Sequence, residues 1–228
     1  MPIPATLMRR LWRQMPDRQS VTFRRRTATT PTYTNYTVTN CWWRPDPTRE
    51  GEVSRGVYLK RYRRWYLPLE MTSSAGFTSD PAPGDLVVNT TSSIDPVSGS
   101  WTVLTQSQVG ALGCWELGSV LLEIRSSLAV TVTVQRRTNV QDDTGRILPT
   151  TTTFTTASGW FQTDGAAVEA EMLGKMQMPT RGTIYLPSYV ALLGTDTLAV
   201  SGTSYNIVSQ SDPLTLEDLQ SVEVVLAQ

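Results

Sequence analysis

Short runs in which every second residue is apolar recur along this chain, separated by turn-forming clusters. Val21 and Phe23, Val87, Trp101 and Val103, and Val120 and Leu122 follow a period of two, which places their side chains on one face of an extended strand. Between such runs lie Asp80-Pro81-Ala82-Pro83-Gly84, Asp95-Pro96-Val97-Ser98-Gly99 and Gln141-Asp142-Asp143-Thr144-Gly145, whose Pro, Asp and Gly content suits tight turns. Helical periodicity is weak. The pattern predicts an all-β protein, with five or six short strands per unit closed into a small barrel or sandwich that leaves few sheet edges open.

The pattern also repeats. Val21-Thr22-Phe23-Arg24-Arg25-Arg26-Thr27 returns as Val132-Thr133-Val134-Gln135-Arg136-Arg137-Thr138, a displacement of 132 − 21 = 111. Gly84-Asp85-Leu86-Val87-Val88 is answered at the same displacement by Thr195-Asp196-Thr197-Leu198-Ala199, with Asp85 against Asp196. Trp101-Thr102-Val103 matches Tyr205-Asn206-Ile207 at 205 − 101 = 104, Tyr66-Leu67-Pro68 matches Tyr185-Leu186-Pro187, and the stretch from Leu117 to Glu123 is aligned with Leu219 to Val225. Matches in this order predict a tandem duplication. Its parts are an N-terminal arm at 1–19, a first β-barrel domain at 20–125 and a second at 126–228, each an ordinary size for one core. The middle of the repeat aligns in two ways. Val38 to Trp43 matches Val168 to Leu173, which is preferred because it sets strand on strand, or Trp42 matches Phe161.

Charge changes the picture. Net charge is zero, yet residues 1–64 hold 14 Arg and Lys against 4 Asp and Glu, a net +10, which leaves −10 on the remainder. Eighteen of the 20 basic residues are Arg, suited to forked contacts with carboxylate or phosphate. Three readings stay open: head-to-tail contact between copies in a ring, contact with nucleic-acid phosphates, and solvated surface pairs. Tyr62-Arg63-Arg64-Trp65-Tyr66 mixes the residue types that carry interface energy, which also suit base stacking. Arg24, Arg25, Arg26, Tyr62, Arg63, Arg64, Trp65, Arg136 and Arg137 are the interface candidates, while Trp101 and Trp115 read as core.

Candidate chemistry is sparse. The chain has no His, which removes the usual general base and commonest metal ligand. The Asp142-Asp143 pair sits in a turn, Glu169 and Glu171 lie two apart on an expected strand, and no glycine pattern cradles phosphate. The residues give no argument for an enzyme, a cofactor or a metal. Cys41 and Cys114 fit no metal spacing and read as reduced core thiols. No segment reads as a signal peptide or membrane span, so the expectation is a cytoplasmically made protein without membrane contact.

The repeated unit resembles a known family. A basic first strand of the type Val-Thr-Val-x-Arg-Arg, a turn such as Asp143-Thr144-Gly145, a strand like Ala167 to Glu171, then Gly-Asp-x-Val, a turn and Trp/Tyr-x-Val are similar to the head-closure or head-tail joining (stopper) proteins of long-tailed bacteriophages. The arm Leu7-Met8-Arg9-Arg10-Leu11-Trp12 fits that family's short N-terminal element. The resemblance covers most of 130–210 and is looser in the first copy; the duplication departs from the family's usual single domain. It implies a structural virion protein at the neck, made in the host cytoplasm. That protein forms a ring between portal or adaptor and tail terminator or tail tube, with double-stranded DNA in the channel. Six chains would display twelve similar domains. A tail terminator, another connector or a nucleic-acid-binding barrel module are the alternatives. By position, the family's channel loop corresponds to Arg44, Asp46, Arg49, Glu50, Glu52 and Arg55 in the first copy. In the second it corresponds to Lys175, Met176, Met178 and Arg181.

Overall fold

Alternating apolar residues and abundant Thr and Val, which suit a pleated half-buried surface, form thirteen strands among the described residues of the computed structural model. Described are 18–26, 33–46, 52–54, 57–69, 76, 80–90, 97–110, 112–125, 127–141, 145–163, 181–211 and 215–227. The chain divides into two compact units, Met1–Glu123 and Ile124–Gln228.

The first unit contains β1 (Gln19–Arg26), β2 (Tyr33–Pro45), β3 (Glu52–Ser54), β4 (Tyr58–Pro68), β5 (Leu86–Asn89), β6 (Gly99–Val109) and β7 (Cys114–Ile124). Its sheet order is β2-β1-β5-β6-β7-β4-β3, and an additional β2–β4 pairing joins the two sides. The second contains β8 (Val130–Gln141), β9 (Ile147–Thr163), β10 (Arg181–Pro187), β11 (Thr197–Val200), β12 (Thr203–Ser211) and β13 (Leu219–Leu226), in a closed barrel of order β10-β13-β12-β11-β8-β9. Read around the ring, β9-β8-β11-β12-β13-β10 repeats β2-β1-β5-β6-β7-β4 strand for strand.

Registers make the equivalence residue-specific. Leu86 faces Thr102 as Thr197 faces Asn206, and Val87 faces Trp101 as Leu198 faces Tyr205. A bulge follows Val103 in β6 and Ile207 in β12, at the same place. Beyond it Val103 lies opposite Ser119 and Ile207 opposite Val224, so the last strands match at 224 − 119 = 105. This corrects the expected alignment of Leu117 with Leu219, whose displacement is 102. The middle is corrected too. Trp42 pairs with Tyr66 and Trp160 with Tyr185, their rings 5.0 Å and 4.8 Å apart, so Trp42 corresponds to Trp160. The preferred match of Val38–Trp43 to 168–173 therefore fails, and the 168–173 side lies outside the described residues.

The cores follow the equivalence. Phe23, Trp65, Leu67, Val87, Trp101 and Leu117 are buried in the first unit; Val134, Ile184, Leu186, Leu198, Tyr205 and Val222 are buried at the corresponding places in the second. β2 and β3 share one edge of β4: Pro45 faces Arg63 and Glu52 faces Arg61, with six residues between Pro45 and Glu52. In the second unit the ladder ends at Thr163 opposite Gly182, and seventeen residues separate Thr163 from Arg181.

Candidate functional site

Arg25 and Arg136 do not present a binding surface. On equivalent strands each reaches the Asp preceding the next strand of the ring. Arg136 Nε donates to Asp196 Oδ1 at 2.9 Å and Nη2 to Oδ2 at 2.8 Å, while the Leu193 N–H donates to Oδ2 at 2.9 Å. Arg136 also donates to the Ala191 carbonyl at 3.3 Å, and its guanidinium lies 3.7 Å from the Phe154 ring centroid. In the first unit Arg25 Nη2 donates to Asp85 Oδ2 at 3.3 Å and to the Asp80 carbonyl at 2.5 Å, and the Ala82 N–H donates to Asp85 Oδ2 at 2.8 Å. The Asp side chains are 5% and 0% exposed, so each clamp is a desolvated, multiply hydrogen-bonded pair that pins a loop to the barrel wall. Both partners recur at one displacement, so the Arg25/Arg136 interface expectation is corrected to an internal role.

The aromatic-basic stretch is internal as well. Trp65 is fully buried, Tyr62 and Arg63 nearly so. Arg63 extends its guanidinium between two indoles, 3.6 Å from the Trp43 centroid and 4.2 Å from that of Trp101, a desolvated cation–π stack. Interface contact through Arg63 and Trp65 is thus corrected, since both face the core that holds Trp101, while Tyr62 is buried on the opposite face of β4, outside that core. Trp115 is buried too.

Arg64 points the other way, into a charged seam across β2, β4 and β7. Its Nε donates to Asp46 at 3.0 Å and Nη1 to Glu116 at 2.6 Å. Burial alone would lower the Arg64 pKa, but its bonds to Glu116 and Asp46 outweigh that and hold it above the ordinary value. Tyr66 lies in the same seam, with the Arg44 guanidinium 5.3 Å from its ring centroid, and burial reinforced by the Glu116 charge pushes its phenol up to about 12. Cys114 is pushed up to about 12 by burial and then Glu116, and burial pushes the Cys41 thiol up as well; both are free and buried. Glu116 was missed from the sequence, although it is the one acid between Asp95 and Glu123.

Of the channel-loop candidates, Arg44 is exposed on β2 and Arg181 is exposed at the start of β10. Asp46 is buried and serves as an anchor at the loop's entrance, held by Arg64, rather than as a lining residue. Glu52 takes a backbone place opposite Arg61. Arg49, Glu50, Arg55, Lys175, Met176 and Met178 lie outside the described residues. Arg24 is half-buried opposite Asn35, Arg26 pairs through its backbone with Tyr33, and Arg137 is exposed opposite Thr151. β2 and β9 both reach the excursion at their C-terminal ends, so the two loop entrances occupy the same end of equivalent barrels.

No protein-family model matches the chain, and no curated protein matches it. Among solved structures, the solution structure of protein SF1141 from Shigella flexneri 2a is similar at 21% identity with a TM-score of 0.35, over 44% of this chain and 93% of that one.

Proposed function

We propose that the chain is a structural virion protein of a bacteriophage neck, a tandem head-tail joining protein that forms a ring around the DNA channel. The observation that carries this reading is one strand order used twice in one chain, with both loop entrances at the same end of equivalent barrels. The motifs by which the repeat resembles that family now have a physical meaning. The Arg of Val-Thr-Val-x-Arg-Arg and the Asp that opens the following short strand are the two halves of one clamp. A barrel stiffened in this way can hold loops of different length at a fixed place while its own core stays unchanged. Six such chains give twelve loop entrances, matching a six-fold tail to a twelve-fold portal complex.

The nucleic-acid-module reading loses its best platform, because Tyr62, Arg63 and Trp65 are packed away from solvent and cannot stack on bases. Cryo-electron microscopy of the intact particle tests the neck reading. Six copies in a ring between portal and tail is the expected result; a chain missing from particles, or placed elsewhere in them, overturns it.

A further inference from the structure

One belt of the first barrel is sealed from outside, and the equivalent belt of the second is open. The register sets Arg24 beside Leu86, Leu86 beside Thr102 and Thr102 beside Val120, and Tyr62 lies on the next strand, β4. In the second barrel the corresponding row is Gln135, Thr197, Asn206, Val225 and Arg181. Successive side chains of a strand point to opposite faces. Because Val87, Trp101, Leu117 and Trp65 occupy the core, Leu86, Thr102, Val120 and Tyr62 face outward.

An outward side chain on a barrel wall meets water unless something lies over it. In the first barrel Leu86 is 1% exposed, Thr102 1%, Val120 0% and Tyr62 8%. Leu122, two residues beyond Val120 on the same face of β7, is buried as well. In the second barrel Asn206 and Arg181 are exposed, and Thr197 and Val225 are half-buried. Composition agrees with exposure: an apolar row is covered where a polar row is open. The row is buried in a single copy of the chain, so its cover belongs to the chain itself.

The cover has to bring apolar side chains. Among the segments of the first unit outside the described residues, those after β1 offer scattered ones, Met71, Phe77 and Ile94. Residues 1–17 concentrate them. Leu7, Met8, Leu11, Trp12 and Met15 fall within an arc of about 140° at roughly 100° per residue of a helix. Arg9, Arg10 and Arg13 fall on the other side, and Pro16 marks a stop. From Leu7 to Met15 a helix is about 14 Å long at roughly 1.5 Å per residue. That is the width of four strands spaced about 4.8 Å apart. The segment leads into β1, which is the neighbour of β5 in the sheet. We infer that residues 7–15 lie as an amphipathic helix across the outer face of β5, β6, β7 and β4 of their own chain and seal the belt there. The first barrel is then a capped wall and the second a bare one, whatever ring the chain enters.

Replacing Leu11 with the photo-crosslinker p-benzoylphenylalanine in the full chain tests the placement. Equal amounts of nitrogen-14 and nitrogen-15 protein are mixed before irradiation, so crosslinks within one chain carry a single isotope. Single-isotope crosslinks from position 11 to residues 57–69, 80–90, 97–110 or 112–125 are expected. Crosslinks confined to residues 126–228, or heavy-to-light crosslinks alone, overturn the inference. A second measurement reads the seal itself. Nitration of Tyr62, resolved by mass spectrometry against buried Tyr205 of the second unit, should accelerate at least about fivefold in Leu7→Asp/Leu11→Asp as the belt opens. Arg10→Ser/Arg13→Ser, on the opposite side of the helix, should nitrate as the parent does. Near-UV circular dichroism checks that each variant is folded. Nitration of Tyr62 that is unchanged in the aspartate variant overturns the inference, and if that variant fails to fold the crosslinks on the otherwise native chain decide.

Discussion

In the first unit a guanidinium separates two aromatic rings; in the second the same two rings touch. Arg63 corresponds to Gly182, Trp43 to Phe161 and Trp101 to Tyr205. Phe161 and Tyr205 pack directly at 5.2 Å, and a Cβ added to Gly182 would meet the Phe161 ring and the Gln162 carbonyl, each at 2.6 Å. The neighbouring seam differs in the same sense, with Arg44, Arg64 and Glu116 replaced by Gln162, Thr183 and Ser221. One topology thus closes around a charged stack or a neutral contact. Shape at the site is preserved by exchanging a long side chain between large rings for no side chain between smaller ones, as volume-conserving core changes allow. Strand order follows from what the units share, the alternation and the clamp.

The clamp is where the comparison breaks hardest. Asp196→Ala should destabilise the second unit by about 3–5 kcal/mol, because it strands the Arg136 guanidinium; Asp85→Ala should cost about 1.5–3 kcal/mol, since the Arg25 Nη2 contact to it is longer, 3.3 Å against 2.8 Å. Urea titration followed by hydrogen exchange assigns each loss to its unit, and equal losses would refute the asymmetry.

Alkaline pH separates the units next. Cys41 and Cys114 both lie in the first unit with folded pKa values raised above the ordinary 9.0, so the unfolded chain releases these protons first. Their contribution is full below about pH 9 and falls as pH rises, by about 2 kcal/mol together between pH 9 and 10. Tyr66, raised from 10.0 to about 12, adds to the loss above pH 10. The second unit has no cysteine. Urea midpoints at the two pH values should therefore fall mainly for the first unit, and thiol labelling should track its opening.

Exchange at the aromatic site is smaller. Gly182→Ala should cost the second unit about 1–3 kcal/mol by overpacking, and Arg63→Met should cost the first about 1–2 kcal/mol through the lost cation–π stack. Calorimetry reading no loss in either would show that both cores relax freely. The smallest effect is expected from replacing 165–179 with a short turn. Thr163 and Gly182 already face each other, so stability should change by less than about 0.5 kcal/mol; under the proposed neck function, retention of packaged DNA in assembled particles should fall.

Much of this architecture is legible in the chain. The displacement of 111 carries Arg25 to Arg136 and Asp85 to Asp196, and a charge pair that recurs at one spacing is the sign of a contact; read separately, the arginines pass for surface. The displacement of 104 at Trp101 and Tyr205 holds because their turn lengths are written in Ser and Gly. The middle and the end resist. Strands rich in Leu, Val and Ser match themselves at several shifts, and only the bulges after Val103 and Ile207 fix the register at 105. Trp42 and Trp160 are related only through Tyr66 and Tyr185, far along the chain. Nothing local reveals that Arg63 belongs between Trp43 and Trp101, because the stack unites three separate strands.

The interrupted ladder has a practical consequence. Six residues between Pro45 and Glu52, and seventeen between Thr163 and Arg181, are accommodated at one joint of a twice-used barrel. A foreign peptide spliced between the paired ends Thr163 and Gly182 should therefore leave the strand order of its unit intact.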